Sequence, residues 1–417
     1  MTSTVPAEAG ISPDPRIQRR VLTVLVTSQV LSGAGLAAGI TVGALLAQDM
    51  LGSTGLAGLP SALFTAGSAL AAVAVGRVSQ ARGRRPGLAA GYLTGAVGAA
   101  AVIAAAVVDN PGLLFAALFV YGAGTATNLQ ARYAGADLAA PAHRARAVST
   151  VLVATTLGGV VGPNLAAPTG DLAAALGIPR LAGPFLLAGV AYALAAVVLA
   201  VWLRPDPLLL ARTLDHRRTA AADTAPQPDA AAKRRGPGVV LGALIMILTQ
   251  LVMVAIMTMT PVHMHDHGHG TAASGLVIAI HVGAMYLPSP ATGWLVDRYG
   301  RIAVAAASGL TLLAAGVLAA VAPGDSVVLL SLALALLGLG WNLGLVSGTA
   351  IITDAVPLAT RAKTQGLVDV SIAIAGATGG LASGIVVAAA SYPALALTGG
   401  ILALAVLPAV AASASSR

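Results

Sequence analysis

Thioether and imidazole side chains cluster in one short part of this chain. Six of the eight methionines and five of the seven histidines lie between Met246 and Met285. Two pairs in this window have a spacing of four residues, Met253 with Met257 and His281 with Met285. Residues four apart share one face of a helix, and soft thioether ligands select Cu(I). The two pairs therefore predict a site for a soft metal ion, with three sulfur ligands and one nitrogen ligand.

A polar, histidine-rich segment lies between the two pairs, over residues 263–269. We interpret it as an external loop that collects metal ions above the site, through His263, Met264, His265, His267 and His269. The alternative is a solvated loop that binds nothing. Methionine in a membrane helix is ordinarily packing material, whereas an ionisable residue such as His281 in a spanning segment indicates function.

The elements that position these residues are membrane-spanning helices. The chain is 57% hydrophobic and only 9% charged, against roughly 25% charged residues in soluble domains. Stretches of about 20 apolar residues predict twelve spans, so the fold class is an all-α integral membrane protein. A Pro-rich, charged segment divides it into two pseudo-symmetric six-helix halves. The predicted divisions are a tail (1–20), an N-terminal half (21–203), a linker (204–237), a C-terminal half (238–413) and a tail (414–417).

Basic residues set the predicted orientation of this bundle. With twelve helices threaded, nearly all arginines and lysines fall on one side, which places both termini in the cytoplasm of a multi-pass cell-membrane protein. The net charge of +8 then indicates contact with anionic lipid, and no nucleic acid is needed to explain it. The absence of cysteine excludes disulfides and thiolate ligands. No nucleophile, base and orienting group cluster together, so we expect no enzyme and no cofactor, and a monomer in the bilayer.

The two halves repeat a glycine- and arginine-rich connection. Residues 76–85 recur as residues 293–301, and the second copy reads G-x-x-x-D-R-x-G-R. This motif resembles the signature of the major facilitator superfamily, a fold of twelve transmembrane helices in which the loop latches the two halves together. Because Gln80 replaces the usual aspartate, the N-terminal latch is expected to use other partners. The resemblance implies a latch formed by Gly76, Gly83, Arg84, Gly293, Asp297, Arg298, Gly300 and Arg301.

The paired motif M-x-x-x-M then H-x-x-x-M, in the seventh and eighth helices, resembles that of the CcoA-type copper importers of the superfamily. The resemblance implies import of copper, as Cu(I), into the cytoplasm by alternating access, with Met253, Met257, His281 and Met285 holding the transported ion. One alternative is a proton-coupled drug or metabolite exporter, favoured by the G-x-x-x-G-P motif at residues 158–163. Another is a metal sensor that binds without transporting. Arg132, Asp137 and Asp369 are each candidates to carry a proton.

Overall fold

The computed structural model describes residues 14–51, 59–222 and 236–415, and this part of the chain is helical throughout apart from short connections. The α-helices are α1 (Pro15–Leu51), α2 (Leu59–Arg82), α3 (Arg84–Val107), α4 (Pro111–Ala136), α5 (Arg144–Asn164), α6 (Ala166–Ala175), α7 (Gly183–Trp202), α8 (Pro207–Ala222), α9 (Gly236–Asp266), α10 (Thr271–Tyr286), α11 (Ser289–Tyr299), α12 (Arg301–Val321), α13 (Val327–Ala355), α14 (Arg361–Ala389), α15 (Tyr392–Ala403) and α16 (Val406–Ser415).

Each of the twelve predicted spans is helical. Ten stretches of the described chain are long and apolar enough to cross a membrane; the other two predicted spans correspond to α1 and α5. The predicted eighth span is divided into α10 and α11 at Leu287 and Pro288, where the ring of Pro290 and that of Pro288 remove backbone donors from the helix. The predicted linker contains the helix α8, while its residues 223–235 lie outside the described residues, as do 1–13 of the N-terminal tail and 416–417.

Each half has its own hydrophobic core. In the N-terminal half the core is aromatic: the ring of Tyr192 stacks on Tyr92 at 5.7 Å between centroids, and Tyr121 meets Phe185 edge to face at 5.3 Å. In the C-terminal half it is built mainly from leucine, alanine, valine and methionine. The cluster of the C-terminal half also includes Ala145, Val148 and Leu152 of α5, so the two halves share apolar contacts where α5 packs against the C-terminal half.

The halves meet along two helix pairs, α2 with α14 and α5 with α11. Glycine permits both approaches. A Cβ at Gly76 of α2 would lie 2.8 Å from the Ala362 carbonyl oxygen and 3.1 Å from Cα of Gly366 on α14. A Cβ at Gly293 of α11 would lie 2.8 Å from the Ala145 carbonyl oxygen on α5. These contacts lie at one end of the bundle, which we call the basic end because it carries the arginine-rich connections.

Candidate functional site

The predicted metal ligands lie in the interior of the C-terminal half. Met253 and Met285 are buried in the same hydrophobic cluster, and Met257 packs against that cluster. His281 is fully buried. Met257 is only half-buried, and the joint binding of a metal ion by these four side chains stays a prediction.

The environment of His281 differs from the predicted one. We expected the ring to face α9, but α10 packs mainly against α13 and only weakly against α9. The Nδ1 atom of His281 donates a hydrogen bond of 2.8 Å to the carbonyl oxygen of Leu334 on α13. A carbonyl can only accept, so Nδ1 carries the proton and Nε2 of the neutral ring keeps its lone pair. Nε2 is buried and has no hydrogen-bond partner.

The histidine-rich segment is not the exposed loop that the sequence indicated. The helix α9 continues to Asp266, which turns Met264 fully into the core and corrects its assignment as an external collector. The ring of His263 stacks on Tyr392 at 4.3 Å between centroids, and Nε2 of His269 bonds the carbonyl oxygen of Gly324 at 2.9 Å.

Metal binding by this segment is not supported either. Within residues 14–51, 59–222 and 236–415, no group of three or more His, Cys, Asp or Glu side chains is placed to hold a metal ion. The rings of His263 and His267 do lie together, with their centroids 4.3 Å apart, so collection of metal ions by this segment stays a prediction.

At the basic end, Asp137 joins side chains from both halves. Nε of Arg84 donates to its carboxylate at 2.7 Å, within the N-terminal half and fully buried. Arg361 of α14, from the other half, approaches the same carboxylate at 3.8 Å. Nη2 of Arg84 also donates to Oε1 of Gln365 on α14 at 2.5 Å. A buried cation thus bridges the halves through one carboxylate and one amide.

The pseudo-symmetric counterpart is Asp354. Arg301 of its own half lies 2.5 Å from its carboxylate, and Arg144 of the opposite half donates to the other oxygen. Arg301 additionally donates to the carbonyl oxygen of Pro141 at 3.0 Å. The repeat recognised in the sequence therefore corresponds to two similar clusters, each with one carboxylate between arginines of the two halves.

The residue at the altered motif position, Gln80, performs the contact that an acid makes in the other copy. Its Oε1 accepts hydrogen bonds from the backbone N–H groups of Ala362 and Lys363, at the start of α14. Its Nε2 donates to the carbonyl oxygens of Leu358 and Ala359, at 3.2 and 2.6 Å. An amide can both accept and donate, so glutamine makes two bonds to carbonyls that an ionised acid cannot make.

Asp297 occupies the equivalent position in the second copy. Its two carboxylate oxygens accept from the N–H groups of Ala145 and Arg146 at 3.1 Å each, at the start of α5. A carboxylate is favoured at a helix N-terminus by the unpaired N–H groups and the helix dipole. Gly83 and Gly300 end the two motif copies with φ of 102° and 93°, a backbone conformation that favours glycine. Arg298, by contrast, is exposed.

Deeper in the bundle, a second ion pair joins the halves. Nη2 of Arg132 on α4 donates to Oδ1 of Asp369 on α14 at 2.7 Å, with both side chains almost fully buried. The hydroxyl of Tyr133 donates to the same oxygen at 3.2 Å, and Nε of Arg132 donates to Thr349 of α13 at 3.1 Å. The sequence indicated Arg132 and Asp369 as separate ionisable residues, but not that they meet.

A polar and aromatic group lies near this pair and was missed by the sequence analysis. The Nε1 atom of Trp341 on α13 donates to Oε1 of Gln250 on α9 at 2.7 Å. The ring of Tyr286, at the end of α10, meets Trp341 edge to face at 5.7 Å between centroids, and Tyr286 lies within electrostatic reach of Arg132. The available signal was the presence of Gln250 and Trp341 within otherwise apolar spans.

The N-terminal half contains a different, self-contained polar network. The hydroxyl of Tyr92 donates to Oε1 of Gln29 at 2.5 Å, and Nε2 of Gln29 donates to Thr155 at 3.1 Å. Asn128 donates to Ser32 at 2.9 Å. All five side chains are buried and bonded to one another, so this network ties α1, α3, α4 and α5 together and leaves little capacity for a ligand.

Polar contacts between the halves gather at the basic end. Hydrogen bonds and ion pairs there, and at the Arg132–Asp369 pair just inside it, join the two halves. The linker helix α8 adds to this closure, since Arg212 donates to the carbonyl oxygens of Gln80 and Leu358, one in each half. The bundle is thus closed at its basic end.

Comparisons with known proteins agree with this architecture. The model of the Major Facilitator Superfamily matches residues 25–287 and 242–414. The chain is 58% identical over 394 residues to the uncharacterized MFS-type transporter YdeG of Bacillus subtilis (strain 168), which covers 94% of this chain and 92% of the relative. It is 31% identical over 370 residues to the riboflavin transporter RfnT of Brucella anthropi, covering 85% and 86%.

The fold is also that of solved transporters. The structure of the human organic anion transporter MFSD10 (TETRAN) superimposes with a TM-score of 0.75 at 18% identity, covering 95% of this chain and 100% of that one. A match of the family model over most of the sequence, together with the two closely similar halves, leads to one conclusion: this chain is a multi-pass membrane transporter that belongs to the major facilitator superfamily.

Proposed function

We propose that this transporter is a proton-coupled exporter of a small organic molecule, a drug or a metabolite, and that it works by alternating access. The observation that carries the proposal is the buried Arg132–Asp369 pair between the halves. An ionisable pair inside a membrane is costly and generally marks a functional site. Here it joins the two units that must separate during transport, so a change in its charge is coupled to their movement.

The proposed substrate contacts are Gln250, Tyr286 and Trp341, which lie on α9, α10 and α13 of the C-terminal half and meet one another at Trp341. An indole and a phenol ring offer flat apolar surfaces, and an amide offers both a donor and an acceptor. This chemistry suits a planar organic molecule with polar edges better than a bare ion. A relative that is 31% identical is a riboflavin transporter, which makes riboflavin a reasonable first probe.

The test is transport by purified protein in liposomes with an imposed pH gradient. Riboflavin and a panel of organic anions and cations are the probes, and the same gradient with a protonophore is the control. We expect accumulation of at least one organic probe that disappears when the gradient is collapsed. If no organic probe moves in either direction, or if movement ignores the gradient, the proposed function is wrong. Replacement of Trp341 by phenylalanine should raise KM for the transported probe more than it lowers the maximal rate.

Copper import is a second candidate, and the orphaned Nε2 of His281 is the observation that favours it. A neutral imidazole whose Nδ1 is held by a backbone carbonyl has the arrangement typical of a metal ligand. Met253, Met257 and Met285 would supply soft sulfur ligands from the same cluster. Uptake of Cu(I) by the liposomes should then be lost in His281→Gln and in Met257→Leu, but kept in the matched variant Met259→Leu. Uptake that is equal in all three variants would exclude this site.

Three further predictions accompany the proposed function. We propose that the basic end faces the cytoplasm with both termini, because basic loops are retained there. We also propose that the protein is active as a monomer. The contacts of Gln80 and Asp297 with the starts of α14 and α5 support a latch that holds the basic end closed.

A further inference from the structure

Asp369 differs from the carboxylates at the basic end because one of its oxygens has no hydrogen-bond partner. Both oxygens of Asp297 accept backbone hydrogen bonds, and Asp137 and Asp354 each lie between two arginines. In Asp369, Oδ1 receives the bonds from Arg132 and Tyr133, whereas Oδ2 is buried without a partner. A proton can therefore add to Oδ2 without first displacing a donor.

A proton on Oδ2 would strongly change the charge balance around Asp369, because few other charged groups lie near it. The charged or titratable groups that act on Asp369 are Arg132 and Tyr133 of α4 and, further away, Arg84 of α3. The other helices that pack along α14 meet it near this level through uncharged groups, such as Ala72 of α2 and Thr353 of α13. One cation is thus paired with one carboxylate in a medium of low dielectric, where the charge on each strongly affects the other.

The Arg132–Asp369 pair is separated from the cavity at the basic end. A cavity of about 390 Å³ at the basic end reaches Asp137, Asp354 and Arg361, but neither Arg132 nor Asp369 is part of its lining. Gln365 and Arg361 precede Asp369 by one and two turns of α14 and lie between it and that cavity. The closed basic end therefore separates Asp369 from this cavity.

We propose that Asp369 is the residue that binds the coupling proton, and that its protonation opens the basic end. The proton comes from water on the opposite side and forms an O–H bond at Oδ2, which converts the carboxylate into a neutral acid. The charge-assisted hydrogen bond from Arg132 then becomes a weaker bond to a neutral acid. The two halves thereby lose the innermost ion pair that joins them. When the basic end has opened, the proton leaves to water on that side and the ion pair re-forms as the end closes.

This inference deepens the proposed function, because it assigns the coupling step to one residue, yet it can be tested without knowing the substrate. The chain contains no cysteine, so a pair of labels can be introduced without background. Spin labels on His143→Cys and Thr360→Cys place one probe on each half, at exposed positions of the basic end. Their separation, measured by pulsed electron resonance, reports whether that end is closed.

In this labelled background, lowering the pH should increase the fraction of molecules with a long separation several-fold. Asp369→Asn, which cannot be charged, should show the long separation at every pH. Asp369→Glu should keep a pH-dependent change, and Asp325→Asn, which alters an exposed acid at the opposite end, should behave as the background. A pH-dependent change that persists in Asp369→Asn, or a short separation that never changes in either protein, overturns the proposal.

A second measurement keeps the proposal testable should Asp369→Asn fail to fold. On acidification, the infrared difference spectrum of the unlabelled protein should gain the C=O stretch of a protonated carboxyl group, and this band should shift in Asp369→Glu. A band that is missing or unmoved contradicts the assignment. Transport results separate the two ideas: proton-driven transport that survives Asp369→Asn refutes the proton site alone, whereas Asp369-dependent opening without transport of any organic probe refutes the substrate class alone.

Discussion

At the scale of single residues, the chemistry of this protein depends on polar groups that are left partly unsatisfied. Most buried polar side chains, such as Gln29 and Asn128, have their partners within one half. His281 and Asp369 each keep one buried atom without a partner. Other buried polar atoms of the described chain, such as the hydroxyl of Tyr192, also lack a partner, but a neutral imidazole nitrogen and a carboxylate oxygen are the groups suited to bind a metal ion and a proton, respectively.

The position of Gln80 gives a residue-scale prediction. Gln80→Glu keeps the acceptor for the start of α14 but places a carboxylate against the carbonyl oxygens of Leu358 and Ala359. We expect the closed basic end to be destabilised, because two hydrogen bonds of about 0.5–1.5 kcal/mol each are replaced by repulsion between oxygens, against a helix-dipole gain below about 1 kcal/mol. The closed fraction seen by the spin labels should fall, as it should for Gln80→Met. A closed fraction equal to that of the parent would contradict this account.

At the scale of helices, glycine decides which helix backbones can approach each other closely. Gly76 on α2 lets that helix contact α14, and Gly293 on α11 lets it contact α5. The same packing rule explains why α10 turns His281 toward α13: a Cβ at Gly338 of α13 would be 3.0 Å from the backbone nitrogen of Met285. Small residues at helix crossings are how membrane helices approach closely.

A pair of glycine substitutions tests this packing. Gly76→Ala should shift the equilibrium away from the closed basic end, because its new methyl group meets the Ala362 carbonyl at 2.8 Å. Gly384→Ala, on α14 with open space around its Cβ position, should instead stabilise the protein by about 0.5–1 kcal/mol through a lower entropy cost of helix formation. Thermal unfolding and the spin-label distances measure both effects; equal behaviour of the two variants would show that the approach of α2 to α14 is not tight.

At the scale of the whole molecule, the contacts between the halves are asymmetric along the membrane axis. Hydrogen bonds and ion pairs between the halves lie at the basic end and just inside it, and α8 spans both halves there through Arg212. Apart from the apolar packing of α5 against the C-terminal half, each core lies mainly within one half, so the polar contacts can open while most of each core stays intact. That property is what alternating access requires of the fold.

The orientation of the molecule can be tested with single cysteines in this cysteine-free chain. His143 lies at the basic end and Asp325 at the opposite end, and both are exposed. In intact cells, a membrane-impermeant maleimide should label Asp325→Cys and leave His143→Cys unlabelled until the membrane is permeabilised. The reverse pattern would place the basic end outside and refute the predicted topology.

The sequence by itself determined the fold class, the order of the helices and the position of the interface motifs. It could do so because a bilayer forces each spanning segment to satisfy its own backbone as a long apolar helix, and because the repeat places Gly76 and Gly293 at matching points of the two halves. The sequence also predicted that Met253 and His281 lie within spanning helices, and both side chains are buried in the bundle. It placed Met264 wrongly, because the extension of α9 to Asp266 is set by packing rather than by hydropathy.

The tertiary structure alone decided which polar side chains meet. Arg132 and Asp369 lie 237 residues apart in the chain and in different halves, so no local spacing relates them. The sequence equally could not show that Gln80 substitutes for an acid by capping α14, or that His281 bonds α13 rather than facing α9. Helical periodicity fixes which residues share a face, but the helix that the face meets depends on how the two six-helix halves pack.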